Sequence, residues 1–191
     1  MPKAPIVLAD TNVLVPALLR NLLIELALTD VIGLYWSDQI FVELRRTLLK
    51  LDPSKSPPRV DSLLRAMDRA LPDARVQPPR QPSHSVLLPH ANDQHVLVAA
   101  MSVPCTHIVT ANLRHFPNTL ISMNVPPLQA VHPDKLVFEL LTTNPTATLL
   151  ALEIARQAFK APQLSQSAFA NALAQINLKQ TAELLRHLRH E

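Results

Sequence analysis

The sequence contains a single glycine, Gly33, in 191 residues. Glycine-rich loops bring backbone amides close to a phosphate, and both the P-loop and the GxGxxG fingerprint need several glycines within a short stretch. The scarcity of glycine therefore excludes these two nucleotide-binding motifs. Any chemistry on phosphate in this chain must use metal ions or basic side chains instead.

Cysteine and long apolar runs are also scarce. Cys105 is the only cysteine, which excludes an internal disulfide or a multi-cysteine zinc site and suits a reducing cytoplasm. No apolar run approaches the roughly 18 residues that a membrane helix requires. The apolar stretch at residues 6–9 is too short for a signal peptide and is followed by an acid. We therefore expect a cytoplasmic protein that does not enter a membrane.

Aromatic residues make up only 4% of the chain, whereas 48% is hydrophobic and the mean hydropathy is +0.12. This apolar content is typical of a globular protein with a substantial core and not of a disordered chain. With five phenylalanines, one tyrosine and one tryptophan, base stacking is not expected to dominate any binding of nucleic acid.

One segment is basic, although the net charge of the chain is only +3. Between residues 45 and 80 the sequence has nine lysines and arginines against four aspartates. Arginine dominates this set, as phosphate recognition favours. The pattern fits a phosphate-binding face, and it fits a solvated helical face equally well.

Two apolar strands are predicted to end in polar residues. Residues 6–9 form a buried strand that ends at Asp10, and residues 107–109 form another that ends at Thr110. A carboxylate at the end of a buried strand is unfavourable unless something pairs with it. In open α/β sheets, ligands bind at the carboxyl ends of the strands. We therefore expect Asp10 and the loop after Thr110 at the same edge of a parallel sheet.

Glu43 and Asp93 lie on predicted helices, close to the buried face of each. Taking 100° per residue, Glu43 falls about 60° from the apolar stripe of a helix predicted for residues 37–51. Asp93 lies about 60° from the buried stripe of a helix that Asn92 is predicted to cap. A surface pair of Glu43 with Arg46, or an acid in a first helical turn, would explain each residue structurally. Binding of a divalent cation would explain both.

The other elements alternate strands and helices as far as residue 131, and the chain is predicted to be helical after that point. Further strands are predicted at residues 34–36, 74–76 and 128–131. Further helices are predicted at residues 12–19, 21–29, 60–71, 134–142, 146–160, 165–175 and 178–190. Pro16 is expected to interrupt the first helix, and Gly33 to follow the end of the second. The predicted organisation is a domain of residues 1–131 and a helical extension of residues 132–191, which is either a cap on the core or a partner-binding module.

Four segments together resemble the PIN-domain nucleases, and among these the VapC-like toxins of bacterial toxin–antitoxin pairs. The segments are Ala-Asp-Thr-Asn-Val-Leu at 9–14, Trp-Ser-Asp-Gln-Ile at 36–40 leading to Glu43 and Arg45-Arg46, Asp-Gln-His-Val-Leu-Val-Ala-Ala at 93–100, and Ile-Val-Thr-Ala-Asn-Leu-Arg-His-Phe-Pro at 108–117. No segment is specific alone, but the order and spacing of the four are. The resemblance covers residues 5–131, and the C-terminal helices are similar to the extension of a longer PIN subfamily.

The resemblance implies a PIN-like three-layer α/β/α fold around a central parallel sheet, followed by the all-helical extension. It also implies an Mg²⁺- or Mn²⁺-dependent endoribonuclease in which Asp10, Glu43 and Asp93 are the catalytic, metal-binding acids. The family's fourth polar or acidic ligand falls at Asn112 or His115, and similar proteins often have aspartate at the latter position. An imidazole there favours Mn²⁺ over Mg²⁺, although His115 is equally explained as a surface histidine without a role.

Further roles are candidates from the same comparison. Asn12 and Thr110 are candidates to orient ligands or water around the metal. Arg20, Arg46 and Arg114 are candidates to hold the RNA backbone, although each is also explained as a solvated arginine. Because aromatic residues are few, a folded RNA recognised by its shape and phosphates is the favoured substrate. The implied partners are this RNA, a cognate antitoxin whose segment fills the groove, and a second copy of the chain in a homodimer.

Three functions are consistent with the sequence. The first is a metal-dependent ribonuclease toxin neutralised by an antitoxin. The second is a PIN-like module that binds RNA or protein with a weakened site, which His115 favours. The third is a DNA-directed nuclease with the same chemistry, and parallel assays on single-stranded RNA and DNA distinguish it from the first.

Overall fold

The central element of the fold is a five-stranded sheet in which all paired strands are parallel, with strand order β3-β2-β1-β4-β5. The computed structural model describes residues 4–52, 54, 56–78, 87–125, 127–159 and 163–187. The strands are β1 Ile6–Ala9, β2 Gly33–Ser37, β3 Arg75–Val76, β4 His107–Val109 and β5 Gln129–Val131. The predicted α/β class with a central parallel sheet and flanking helices is therefore confirmed.

The helices follow the predicted ones closely. They are α1 Thr11–Leu14, α2 Ala17–Leu28, α3 Asp38–Leu51, α4 Pro57–Ala70, α5 Gln94–Met101, α6 Asn118–Asn124, α7 Pro133–Thr143, α8 Pro145–Gln157, α9 Gln166–Gln175 and α10 Lys179–His187. Short 3-10 turns occur at Pro72–Ala74, Ala91–Asp93 and Leu113–His115. Helix α6 was not predicted, and the predicted helix ends at residues 160 and 190 lie outside the described residues. Among the described residues, none of the helices has the length and apolar character needed to cross a membrane.

The order of the strands positions the candidate site. Strand β1 pairs with β2 on one side and with β4 on the other, so that Leu8 lies opposite both Tyr35 and Ile108. The chain thus moves outward from β1 in one direction and then returns to build the other half of the sheet. Such a reversal leaves a crevice at the carboxyl ends of the two strands that flank it. Asp10 and Thr110 follow directly after these two strands, which places them at the crevice.

Burial explains why β1 is the centre of the sheet. Val7, Leu8 and Ala9 are fully buried, as expected for a strand covered on both faces. At the next strand, Trp36 is also fully buried and stacks on Phe41 of α3, with the ring centroids 5.4 Å apart. Helix α3, which carries Glu43, is thereby fixed against the sheet.

Two local predictions are wrong. Gly33 is not the residue that terminates α2. Asp30 takes the left-handed conformation after the helix, with a φ of 57°, and Gly33 begins β2 instead. Aspartate tolerates this conformation better than most residues. Asn92 does not cap α5 through its side chain, since it lies within the 3-10 turn Ala91–Asp93 that leads into the helix. Its carbonyl oxygen instead accepts a hydrogen bond from the His95 ring.

Arg20, a predicted RNA contact, is only 6% exposed. Its Nη1 donates hydrogen bonds to the carbonyl oxygens of Leu14, at 2.6 Å, and Val15, at 3.2 Å. These carbonyls lie where Pro16 separates α1 from α2, so the guanidinium satisfies backbone groups that the interrupted helix leaves free. The prediction that Arg20 holds RNA is therefore wrong, because its charged group is enclosed in the helix junction.

The C-terminal helices pack on the sheet domain. Helix α8 contacts α2, and α10 contacts both α7 and α9. Buried residues of α7 and α8 belong to the same hydrophobic cluster as the sheet; they include Leu136, Val137, Leu140, Ala151 and Leu152. The boundary between residues 131 and 132 stays a prediction, but the extension is continuous with the core.

The start of α10 is held by a side chain from α7. The carboxylate of Asp134, which is 5% exposed, accepts hydrogen bonds from the backbone N–H groups of Gln180 and Thr181, both at 2.9 Å. It also accepts one from the Thr181 hydroxyl at 2.9 Å. An acid in this position satisfies first-turn amides and interacts favourably with the helix dipole. A residue 46 positions earlier in the chain therefore acts as the N-terminal cap of α10.

Candidate metal centre

Asp10 forms the floor of the candidate site, directly after β1. Its backbone N–H donates to the carbonyl of Val109 at 3.0 Å, which ties the residue to the end of β4. The side chain is 5% exposed, and its Oδ2 accepts hydrogen bonds from the Thr110 hydroxyl, at 2.7 Å, and from the Asn12 amide. Among the described residues, no cationic side chain pairs with this carboxylate.

The pKa of Asp10 is affected by the two other predicted acids, which lie close to it. Burial raises the pKa of Asp10 above its ordinary value, and the negative charges of Asp93 and Glu43 raise it further. The hydrogen bond from Thr110 acts in the opposite direction without cancelling these effects. The fold thus brings three carboxylates within electrostatic range, although they are widely separated in the chain.

Glu43 projects from α3, and its helix is positioned by the sequence itself. Ser37 caps α3 as predicted, since its hydroxyl accepts a hydrogen bond from the N–H of Ile40 at 3.3 Å. The Thr11 hydroxyl donates to Glu43 Oε2 at 2.8 Å, and His95 Nε2 lies 3.4 Å from Oε1. The alternative of a surface pair between Glu43 and Arg46 is therefore wrong, since the partners of Glu43 lie on α1 and α5.

Asp93 lies at the junction of the 3-10 turn and α5. Its side chain makes no capping hydrogen bond to the helix, although its position at the N-cap of α5 is still favourable for the helix dipole. Instead, Asp93 Oδ2 lies 2.9 Å from His115 Nδ1. The His115 ring in turn contacts the His90 ring, with centroids 3.8 Å apart and the ring planes tilted by 33°. His115 is thus in contact with a predicted metal ligand and is not an isolated surface histidine.

Asn12 links the ends of the two central strands. Its amide nitrogen donates to the Asp10 carboxylate and, at 3.0 Å, to the Thr110 hydroxyl, while its oxygen accepts from the N–H of Ala111 at 2.9 Å. The N–H of Asn112 donates to the Thr110 hydroxyl at 3.0 Å. Asn12 and Thr110 therefore lie where side chains that orient Asp10 are expected. The side chain of Asn112 is on an exposed residue and makes no hydrogen bond to the acids in the part of the chain described.

The other two predicted RNA contacts differ from Arg20. Arg46 on α3 and Arg114 in the 3-10 turn after β4 are both exposed. Neither is paired with an acid among the described residues. The neighbouring Arg45, in contrast, is paired with Asp61 at 2.6 Å, so its charge is already balanced. The guanidinium groups of Arg46 and Arg114 are therefore accessible for binding a phosphate.

A divalent cation fits the chemistry of this site. Within the described ranges, no three His, Cys, Asp or Glu side chains are already arranged to hold a metal ion. The site nevertheless collects hard oxygen donors, which Mg²⁺ and Mn²⁺ prefer. The buried Asp10 carboxylate is repelled by Asp93 and Glu43, so a bound cation would relieve the repulsion.

Three residues of the site were not recognised in the sequence as functional candidates: Thr11, His90 and His95. Thr11 follows Asp10 directly, and its hydroxyl contact with Glu43 depends on how α3 packs. His90 and His95 flank Asp93, but their contacts with His115 and Glu43 cross between different elements. Contacts between different elements leave no periodic pattern in the sequence that could predict them.

The fold and this site define an α/β protein with an acidic centre at the topological switch point of its sheet. Residues 6–114 match the family model of the PIN domain. This match covers more than half of the chain, which therefore belongs to the PIN-domain family, whose members are generally nucleases and typically use divalent metals. No curated protein and no solved structure matches the chain.

Proposed function

We propose that this protein is an Mg²⁺- or Mn²⁺-dependent endoribonuclease whose metal is held by Asp10, Glu43 and Asp93. The observation that carries the proposal is the buried Asp10 carboxylate, whose pKa is raised by burial and by the charges of Asp93 and Glu43. Maintaining such repulsion is unfavourable for folding and is typical of functional sites. Its position at the switch point of the sheet, in a family of nucleases, supports the same conclusion.

The side chains of the site have separable tasks in this proposal. A bound divalent cation supplies activation of water and compensation of negative charge at the phosphate. Thr110 and Asn12 hold Asp10 in position, Thr11 holds Glu43, and His115 holds Asp93. Such hydrogen bonds fix the orientation of metal-binding carboxylates. The carboxylates that would bind the metal are thus held in position by hydrogen bonds from neighbouring side chains.

RNA is the proposed substrate, held through its backbone. Arg46 and Arg114 are exposed and unpaired among the described residues, and they follow Glu43 and Asn112 closely in the chain. Their guanidinium groups are suited to bind phosphate oxygens in pairs. Because the chain is poor in aromatic residues, recognition of a folded RNA by shape and phosphate position is favoured over stacking on unpaired bases.

Cleavage of RNA should require both a divalent cation and Asp93. We expect a chelator to abolish cleavage and Asp93→Asn to lower its rate at least about 100-fold, because the substitution removes a charged ligand. The measurement is single-turnover cleavage of labelled, structured RNA with Mg²⁺ or Mn²⁺. Asp73→Asn, at an exposed aspartate outside the site, is the matched control and should cleave normally.

Two results would contradict this proposal. Cleavage that survives both chelator and Asp93→Asn would exclude metal-dependent catalysis at this site. Efficient cleavage of single-stranded DNA with little cleavage of RNA, in parallel assays, would favour the DNA-directed nuclease instead.

A binding module with a weakened site is the second candidate, and His115 favours it. A histidine occupies the position where the family often provides a fourth acid, and it contacts Asp93. If the site is active but weakened, His115→Asp should raise Mg²⁺-supported cleavage about tenfold, since it adds a hard oxygen ligand. The comparison uses initial rates with Mg²⁺ and with Mn²⁺, and His187→Asp on the exposed end of α10 as control. Wild type that never cleaves, beside an active His115→Asp, would establish the binding module.

We further propose that the chain acts as the toxin of a toxin–antitoxin pair, inhibited by a protein segment that fills the acidic groove, and that it forms a homodimer. The four motif segments in their order and spacing support this role. A short reading frame that adjoins or overlaps the gene, and whose product blocks cleavage when added to the purified chain, is the expected observation. If no protein encoded by an adjoining reading frame inhibits cleavage, the toxin proposal is contradicted.

A further inference from the structure

His95 places its Nε2 nitrogen close to Glu43 in the candidate site. Its Nδ1 lies 2.8 Å from the carbonyl oxygen of Asn92. A carbonyl oxygen can only accept, so Nδ1 carries the proton and donates it to this bond. In the neutral imidazole, Nε2 is then the unprotonated nitrogen, and its lone pair faces away from Asn92.

The described surroundings of Nε2 do not provide a hydrogen-bond partner for this nitrogen. His95 Nε2 is buried and has no hydrogen-bond partner among the described residues. Its nearest acidic neighbour is Glu43 Oε1, at 3.4 Å, and the contact does not have the geometry of a hydrogen bond. The other oxygen of Glu43 is held by the Thr11 hydroxyl at 2.8 Å. A buried nitrogen without a hydrogen-bond partner among the described residues and a carboxylate oxygen thus face each other, and either a proton on Nε2 or a metal cation bound to both atoms would make this contact favourable.

The distance between the two atoms fits ligands of a common ion. Nitrogen and oxygen ligands bind small divalent cations at about 2.0–2.2 Å. Two such ligands at an angle of about 90–100° lie about 2.8–3.4 Å apart. The observed separation of 3.4 Å lies at the upper end of this range. Asp10 and Asp93, whose charges couple to this region, lie close enough to add charge compensation.

We propose that His95 Nε2 and Glu43 Oε1 are both ligands of one divalent cation, and that this nitrogen–oxygen pair makes the centre select first-row transition cations over Mg²⁺. Imidazole is a good ligand for transition metals, whereas Mg²⁺ prefers oxygen. The inference rests on the proposed function only in placing a cation at Glu43, and binding requires no RNA. His115 differs from His95, because its Nδ1 is engaged with Asp93.

Pulsed electron paramagnetic resonance of Mn²⁺ bound to the full chain tests the proposal. A directly bound imidazole couples its ¹⁴N nucleus to the metal spin, so the wild type should show this coupling. His95→Asn should lose it and bind Mn²⁺ about tenfold more weakly, while Mg²⁺ affinity changes less than about twofold. Asparagine retains a donor for the Asn92 carbonyl, so this variant preserves the local bond while removing Nε2.

Two control variants identify the histidine responsible. His115→Gln and the exposed His187→Gln should both retain the ¹⁴N coupling. Coupling that persists in His95→Asn, or that disappears only in His115→Gln, overturns the assignment. Should His95→Asn fail to fold, as judged by circular dichroism, the wild type alone still decides: Mn²⁺ bound without ¹⁴N coupling, or bound no more tightly than Mg²⁺, overturns the proposal.

The result is separable from the nuclease proposal. Mg²⁺-supported RNA cleavage without ¹⁴N coupling contradicts the ligand role of His95 and leaves the nuclease intact. Coupling without cleavage of any RNA or DNA contradicts the nuclease and supports His95 as a ligand.

Discussion

Asp10→Asn is expected to abolish RNA cleavage and to stabilise the metal-free protein. Loss of the buried carboxylate removes a ligand of the proposed cation, so the rate should fall at least about 1000-fold. The same change removes a charge that is buried and repelled by Asp93 and Glu43. We expect the melting temperature to rise by about 2–4 °C, the shift that about 1 kcal/mol produces in a chain of this size.

The stabilisation should depend on pH in a defined direction. Because burial raises the pKa of Asp10 above its ordinary value, the folded state prefers the protonated carboxyl. The ionised carboxyl therefore lowers the free energy of unfolding at neutral pH. This loss shrinks as the pH falls through the raised pKa and vanishes below the ordinary one. The advantage of Asp10→Asn should accordingly be largest at a pH above the raised pKa and disappear in acid.

Thermal melts in chelator between pH 7 and acidic pH measure this effect. Asp93→Asn removes the same charge from a side chain that is 23% exposed, so it should stabilise less. Saturating Mn²⁺ should reverse the order of wild type and Asp10→Asn, because a cation that binds only the folded wild type stabilises it. A destabilised Asp10→Asn protein in chelator would show that the carboxylate serves the fold and not the metal.

Asp134→Ala is expected to loosen the C-terminal helices. The substitution leaves the amides of Gln180 and Thr181 without their acceptor, and the Thr181 hydroxyl keeps only its longer bond, of 3.4 Å, to the backbone carbonyl of residue 134. Thr181 is fully buried, so water does not replace the lost acceptor. We expect the free energy of unfolding to fall by about 2–3 kcal/mol, and the melting temperature by about 4–12 °C. Denaturant titration and thermal melting measure the change.

Hydrogen exchange shows whether this loss is localised. Amides of α10 should exchange faster in Asp134→Ala, whereas those of β1 should be affected only through the overall stability. Glu183→Gln, an exposed acid on the same helix, is the control and should leave both unchanged. Unaltered protection of α10 in Asp134→Ala would show that the helix is held by its apolar contacts alone.

Local patterns in the sequence were sufficient for much of the secondary structure. Apolar runs predicted β1 and β4, because a strand covered on both faces needs consecutive apolar residues. Pro16 predicted the interruption between α1 and α2, since it lacks an N–H and restricts the backbone. Ser37 predicted the start of α3, because its hydroxyl can satisfy an amide in the first turn. Each of these signals depends on residues within one turn or a few positions.

Arg20 and His95 show where local patterns fail. Arginine is usually exposed, and only the packing around the break at Pro16 reveals that the Arg20 guanidinium is enclosed among backbone carbonyls. His95 lies on α5 and Glu43 on α3, so their contact depends on how two helices meet at the sheet edge. The cap that Asp134 provides to α10 joins residues 46 and 47 positions apart, and neither segment alone has a sequence pattern that predicts it.

The sequence by itself thus predicted the parallel α/β class, most of the elements and three candidate acids, because apolar runs, helix caps and motif spacing can be recognised in the chain without its tertiary structure. It also identified Asp10 as anomalous, since an acid that ends a buried strand is unfavourable wherever the chain folds. Only the tertiary structure decided which donors hold each carboxylate, which arginines reach the surface and which histidines enter the site. These depend on long-range packing, which brings residues from separate helices and strands to the carboxyl ends of β1 and β4.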